Sequence, residues 1–123
     1  MKKESRFFAT TINCYTENDV LIVGIGNHAI SPDRYLIISR FDDGEIDDAI
    51  GIQTNNSTME VANAISNLFL RKNSLTIEIK ADKQYLVGEQ TLTAEFTDQN
   101  ITLLIKYIKK IFLGSSVNLS IDV

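Results

Sequence analysis

A chain of 123 residues, 44% hydrophobic and 23% charged, has the size and composition of one globular domain, residues 1–123, able to bury a core without disulfides or a metal. Twelve Lys and Arg against sixteen Asp and Glu leave a net charge of −4, which argues against a general nucleic-acid binder because phosphate neutralisation needs clustered cations. The longest apolar run, residues 20–25, is far short of the roughly 20 residues of a membrane helix, and the single Cys14 cannot pair within the chain, so the sequence reads as cytoplasmic.

Taken in chain order, residues 7–15 are rich in aromatic and β-branched side chains, and Glu17-Asn-Asp19 supplies turn chemistry before the apolar run, so residues 7–25 predict a hairpin. Residues 20–25 are apolar at almost every position, which predicts a central strand covered on both faces. Ser31-Pro-Asp33 bounds a third strand over residues 34–41, since Pro32 forbids a continuing helix. An acidic loop and a short strand at residues 58–61 follow. Residues 65–71 and 74–80 predict a second hairpin around Lys72-Asn73, Asn being a residue that tolerates a left-handed turn. Leu75, Ile77 and Ile79 alternate with polar residues, as do Leu92, Ala94 and Phe96, which puts one face of each strand on a core. A short helix fits residues 81–86.

Residues 98–112 place Ile101, Leu104, Ile105, Ile108, Ile111 and Phe112 at helical spacing. Thr97 or Asp98 can cap its start, Lys106, Lys109 and Lys110 suit its negative end, and Gly114 can stop it. Docking those six side chains contributes about 1.5–3 kcal/mol each before entropy. The tail, residues 117–123, alternates once more and can add an edge strand or reach a second subunit. The expected fold is α+β: a twisted, mainly antiparallel sheet of six to eight strands with the C-terminal helix, residues 98–112, packed on one face.

The motif search returns little chemistry. Gly24-Ile-Gly-Asn-His-Ala29 matches a dinucleotide fingerprint, but Pro32 and the strand after it leave no room for the helix that motif requires. Aligning Gly44 with the invariant glycine of a calcium loop puts Phe41 and Ile50 at liganding positions, where neither can coordinate. One Cys and one His do not make a zinc site, and Cys14 and His28 fall in separate elements, so they do not read as nucleophile and base. No cofactor, metal or catalytic group is expected.

The charge is uneven. Residues 1–41 carry five basic and four acidic groups, residues 42–100 four and eleven, and residues 101–123 three and one. Five acids, Asp42, Asp43, Glu45, Asp47 and Asp48, crowd one short segment. Such a run serves either as a solvated loop or as a docking surface that steers a basic partner. Tyr15, Tyr35, Tyr85 and Tyr107 suit either an interface or the boundaries of sheet and helix.

Read together, the order of segments resembles the bacterial immunity protein 10 family. Phe8-Ala-Thr and Val20-Leu-Ile-Val-Gly open it, and Tyr35-Leu-Ile-Ile-Ser-Arg40 is similar to that family's Tyr-Leu-x-x-Gln-Arg strand, with Ser39 in place of Gln. An acidic loop, Gly51, the hairpin from Leu68 to Leu75 and a helix closing on Ile111-Phe112 complete the likeness over residues 7–112. The resemblance implies a non-enzyme that binds and neutralises a cognate toxin of a polymorphic toxin system. The acidic run Asp42, Asp43, Glu45, Asp47 and Asp48 is then the expected partner-binding segment, suited to a nuclease toxin with a basic surface. A small homodimeric scaffold or adaptor paired through the tail is the alternative, and a small-ligand binder or enzyme using the cleft near residues 24–31 a more distant one.

Overall fold

A computed structural model describes residues 4–41, 46–57, 59–97 and 100–123. The first two strands, β1 (Glu4–Phe8) and β2 (Thr11–Glu17), show the plan of the molecule, because the chain changes sheets between them. Ala9 N–H donates to Glu95 O on one side of this corner, and Thr10 N–H donates to Gly26 O on the other. After β2 come β3 (Val20–Gly26), β4 (Tyr35–Arg40), β5 (Ile50–Thr54) and β6 (Val61–Ala62). The order β2-β3-β4-β5-β6 is antiparallel throughout and forms the second sheet.

A second corner returns the chain. Asn63, in the left-handed region at φ 55°, donates its N–H to Ile50 O, while Ala64 O accepts from Lys80 N–H in the other sheet. Then come β7 (Ile65–Arg71), β8 (Ser74–Ile79), a 3-10 turn (Ala81–Lys83) running into α1 (Gln84–Val87), β9 (Thr91–Glu95), α2 (Ile101–Ile111) and β10 (Asn118–Asp122). The first sheet has the order β1-β9-β8-β7-β10, and its edge strands β1 and β10 pair parallel to their neighbours. A parallel return needs a long crossover, and α2 supplies it between β9 and β10.

This architecture corrects the expected fold class. Strands account for 49% and helices for 16% of the structure, and the single sheet with a long helix on its face is replaced by two five-stranded sheets facing each other. The inner faces bury Val23, Ile25, Leu36, Ile38 and Ile52 against Leu68, Leu70, Leu75, Ile77 and Leu92. Helix α2 has 11 residues; it lies against β2 and β3 and adds Leu104, Ile108 and Ile111 to the same core. Period-2 alternation states that a strand has an inside and an outside, but not which sheet it joins. Strand β5, whose Ile50, Gly51 and Ile52 are all buried, was not anticipated because its run is short and carries a glycine.

Local expectations fared unevenly. The β2–β3 turn holds Asn18 and Asp19 at φ 52° and 66°, the paired left-handed residues whose twist matches a hairpin. Asn73 is not left-handed; it donates its side-chain amide to Phe96 O and accepts Phe96 N–H at its own carbonyl. The N-cap of α2 is Asn100, itself left-handed and without a side-chain cap bond, in place of the expected Thr97 or Asp98, of which Asp98 lies outside the described residues. Gly114 takes φ 79° just past the helix, as expected. The tail pairs in parallel with β7 of its own chain.

The C-terminus of α2 is held by a residue of β4. Arg40 directs one guanidinium nitrogen at three carbonyls, those of Lys110 at 3.0 Å, Ile111 at 2.9 Å and Leu113 at 2.9 Å. Lys110 and Ile111 belong to the last turn of the helix and Leu113 lies just past it; Lys110 O also accepts Leu113 N–H, and a cation here meets the negative end of the helix dipole. Arg40→Met keeps the apolar stem and removes the donors. Thermal or urea unfolding of this variant is expected to show a loss of about 1.5–3 kcal/mol, the scale of charge-assisted hydrogen bonds; an unchanged midpoint would mean that water serves the helix end equally well.

Candidate functional site

Strand β3 leads to the site because its sequence promised two covered faces and the structure covers one. Val23 and Ile25 point into the core, whereas Val20 and Ile22 point outward and are only half-buried. Register carries this outer face across the sheet. Asn13, Gly24, Ile37 and Gln53 form one cross-strand row, and Tyr15, Ile22, Ser39 and Gly51 the next. Phe41 and Tyr15 stay 41% and 45% exposed. Val20, Ile22 and Ile37 thus make a small apolar patch beside exposed aromatic groups, with Asn13, Ser39 and Gln53 among them, a combination suited to contact.

A groove of about 320 Å³ runs over this face, lined among others by Tyr15, Val20, Ile22, Ile37 and Phe41, with Glu17, Gln53 and Glu60 at its polar positions. Among the described residues, two carboxylates and no Lys or Arg line it. Glu60 is held across the sheet because Gly51 has no side chain: a Cβ there would overlap the Glu60 side chain. Ser39 Oγ donates to Glu60 Oε1 at 2.5 Å. Beyond Ile37 the face sinks into a second hollow of about 250 Å³ floored by Gly24 and Gly26 and flanked by Pro32 and Tyr35.

The sequence-predicted acidic residues divide. Asp42, Asp43 and Glu45 lie outside the described residues; in the chain they follow Phe41, which lines the groove. Asp47 and Asp48 sit in a turn and are engaged within the molecule. Ser116 N–H and Oγ–H donate to the two Asp47 carboxylate oxygens at 2.9 and 2.7 Å, and the Asn63 amide donates to Asp48 Oδ1 at 3.2 Å. The two bonds from Ser116, the backbone one foremost, hold the Asp47 carboxyl below the usual range.

Of the four tyrosines, Tyr15 and Tyr35 come to this face. Tyr107 packs on the core with its hydroxyl against Thr16, and Tyr85 projects from α1. Sequence reasoning missed Glu17, Gln53 and Glu60, which become neighbours only through register and the glycine at position 51. The legible signal was the unbroken apolarity of residues 20–25.

Two further polar features have other roles. His28 Nδ1 accepts from Ile30 N–H and Ser31 N–H, pinning the β3–β4 loop. Glu89 is 2% exposed and accepts from Ser5 Oγ at 2.5 Å and from the Asn56 amide, which ties β1 to the turn after β5. No group of three or more His, Cys, Asp or Glu able to hold a metal ion occurs among the described residues, and no helix among them is long and apolar enough to cross a membrane. Compared with protein-family models and with curated proteins, the sequence matches none.

Burial pushes the Cys14 thiol up to about 11, so at pH about 8 the native protein is expected to react with a thiol reagent about a hundredfold more slowly than the unfolded chain. Equal rates would show that β2 opens readily. For Asp47 the sign follows from a folded pKa below the unfolded one, near 3.9. Its contribution is present above about pH 4 and disappears as pH falls through the folded value. The stability gap between wild type and Asp47→Asn in urea unfolding is therefore expected to be constant at neutral pH and to close in acid; a gap that widens in acid would contradict the Ser116 contact.

Proposed function

We propose that this chain is a non-catalytic, cytoplasmic immunity protein that neutralises a cognate bacterial toxin by binding it stoichiometrically through the outer face of the second sheet. The observation that carries this reading is an apolar sheet face, predicted by its sequence to be covered, that stays only half-buried, with carboxylates and, among the described residues, no cation along its groove. A standard protein interface buries about 800 Å² on each partner around an apolar centre with a polar rim, and this face offers that arrangement. The acidic run Asp42, Asp43, Glu45, Asp47 and Asp48, which follows Phe41 in the sequence, adds to the protein's negative charge and favours a basic partner such as a nuclease toxin. The resemblance to the bacterial immunity protein 10 family supports the same reading.

A second reading rests on β10. This edge strand carries neither Pro nor Lys, two of the devices that discourage edge-to-edge pairing, so a homodimeric scaffold joined along it is the alternative.

Co-expression with each toxin-like reading frame beside the gene, scored by survival and co-elution, tests the proposal. Rescue with a 1:1 complex is expected. Within that complex Ile22→Asp is expected to raise the dissociation rate, and Glu17→Lys to slow association most strongly at low salt. No rescue by any neighbour, together with a concentration-dependent dimer in sedimentation, would replace this reading with the scaffold.

A further inference from the structure

Gly24 is a glycine the fold does not need. Among the described glycines, Gly88 and Gly114 adopt positive φ, Gly51 lies beneath Glu60, and Gly26 is crowded by Pro32 and Tyr35. Gly24 has ordinary strand geometry, and a Cβ on it would meet only the Asn13 carbonyl oxygen, at 4.0 Å. Glycine inside a strand costs about 0.5–1 kcal/mol relative to alanine and often marks the close approach of a ligand or another chain. A valine there would suit the pleated backbone and fill the hollow. What the missing side chain provides is space on the outer face.

That space has a defined shape. Its floor is the bare backbone at Gly24, its closed end is Gly26 beneath Pro32 and Tyr35, and the exposed Asn13 is at its rim. Its volume, about 250 Å³, falls below the roughly 300 Å³ at which pockets for free drug-sized ligands begin. Ile37 lines both this hollow and the acidic groove, so the two are neighbours on the same face. A flat ring laid on a glycine floor makes close contact over its whole face, and aromatic anchors in such pockets dominate interface energetics.

Resting on the protein-binding reading above, we infer that this notch receives one aromatic side chain of the bound partner, stacked on Gly24 with its polar edge toward Asn13. The partner is then a basic protein that presents an exposed Trp or Tyr beside its cationic surface.

The notch can be probed without the partner. N-acetyl-tryptophanamide titrated into the ¹⁵N-labelled chain is expected to shift the amides of Asn13, Gly24, Gly26, Tyr35 and Ile37 selectively. Gly24→Val, which keeps or raises the melting temperature, weakens this binding at least about tenfold; Gly24→Ala serves if the larger side chain disturbs the fold. Absence of selective shifts in the wild type, or unchanged binding to a folded Gly24→Val, overturns the proposal. So does full toxin neutralisation by Gly24→Val. If the wild type neutralises no neighbouring toxin, the immunity reading fails by itself, and the probe titration still decides whether the notch takes an aromatic ring.

Discussion

The burial of two inner sheet faces against each other is the constraint on which the rest of the molecule depends. Each strand has side chains on two sides, and a chain of this size has material for one shared core. Once Leu36, Ile38 and Ile52 meet Leu68, Leu75 and Ile77 in that core, the outer faces are left to solvent or to partners. The two corners, at Ala9-Thr10 and Asn63-Ala64, make this arrangement possible by handing the backbone hydrogen-bonding pattern from one sheet to the other. Strands that switch sheets bind the two layers covalently as well as by packing.

Polar groups near the core reinforce the same arrangement. Arg40 leaves β4 of the second sheet to close the end of α2, so the crossover of the first sheet is fastened to the second. Glu89 accepts hydrogen bonds from β1 and from the turn after β5, joining the sheets at another place. Glu89, at 2% exposure, is satisfied by donors without which its burial would be costly, since leaving such a group unpaired costs more than pairing it contributes.

The two outer faces differ in kind. That of the first sheet mixes both signs of charge, in the exposed Arg6–Glu95 ion pair, with a 58% exposed Phe8 and with Thr76 and the buried Thr93, whose hydroxyls lie 3.1 Å apart. That of the second sheet shows Val20, Ile22, Ile37, Tyr15 and Phe41 beside carboxylates. Apolar surface of this sort has a cost in water, and it is the ground on which the binding proposal rests. Gly51 and Gly24 shape it from opposite sides: one makes room for Glu60 to cross the sheet, the other leaves a hollow that nothing in the fold fills.

The sequence by itself determined the local structure: the β2–β3 and β7–β8 hairpins, the inward stripes Leu75, Ile77, Ile79 and Leu92, Ala94, Phe96, and the amphipathic helix with the left-handed Gly114 just past its end. These follow from side-chain periodicity and turn chemistry, which act over a few residues. The apolarity of residues 20–25 was equally plain, but it pointed to a strand covered on both faces, and only the structure left Val20 and Ile22 half-buried on the outer one. The acidic run was visible too, but not that Asp47 and Asp48 are engaged by Ser116 and Asn63. Tertiary structure alone decided that there are two sheets, that β1 and β10 pair in parallel, and that Glu17 and Glu60 share a groove with Ser39. Strand pairing and sheet switching bring together residues tens of positions apart, and a period of two, identical for every strand, carries no address for the neighbour.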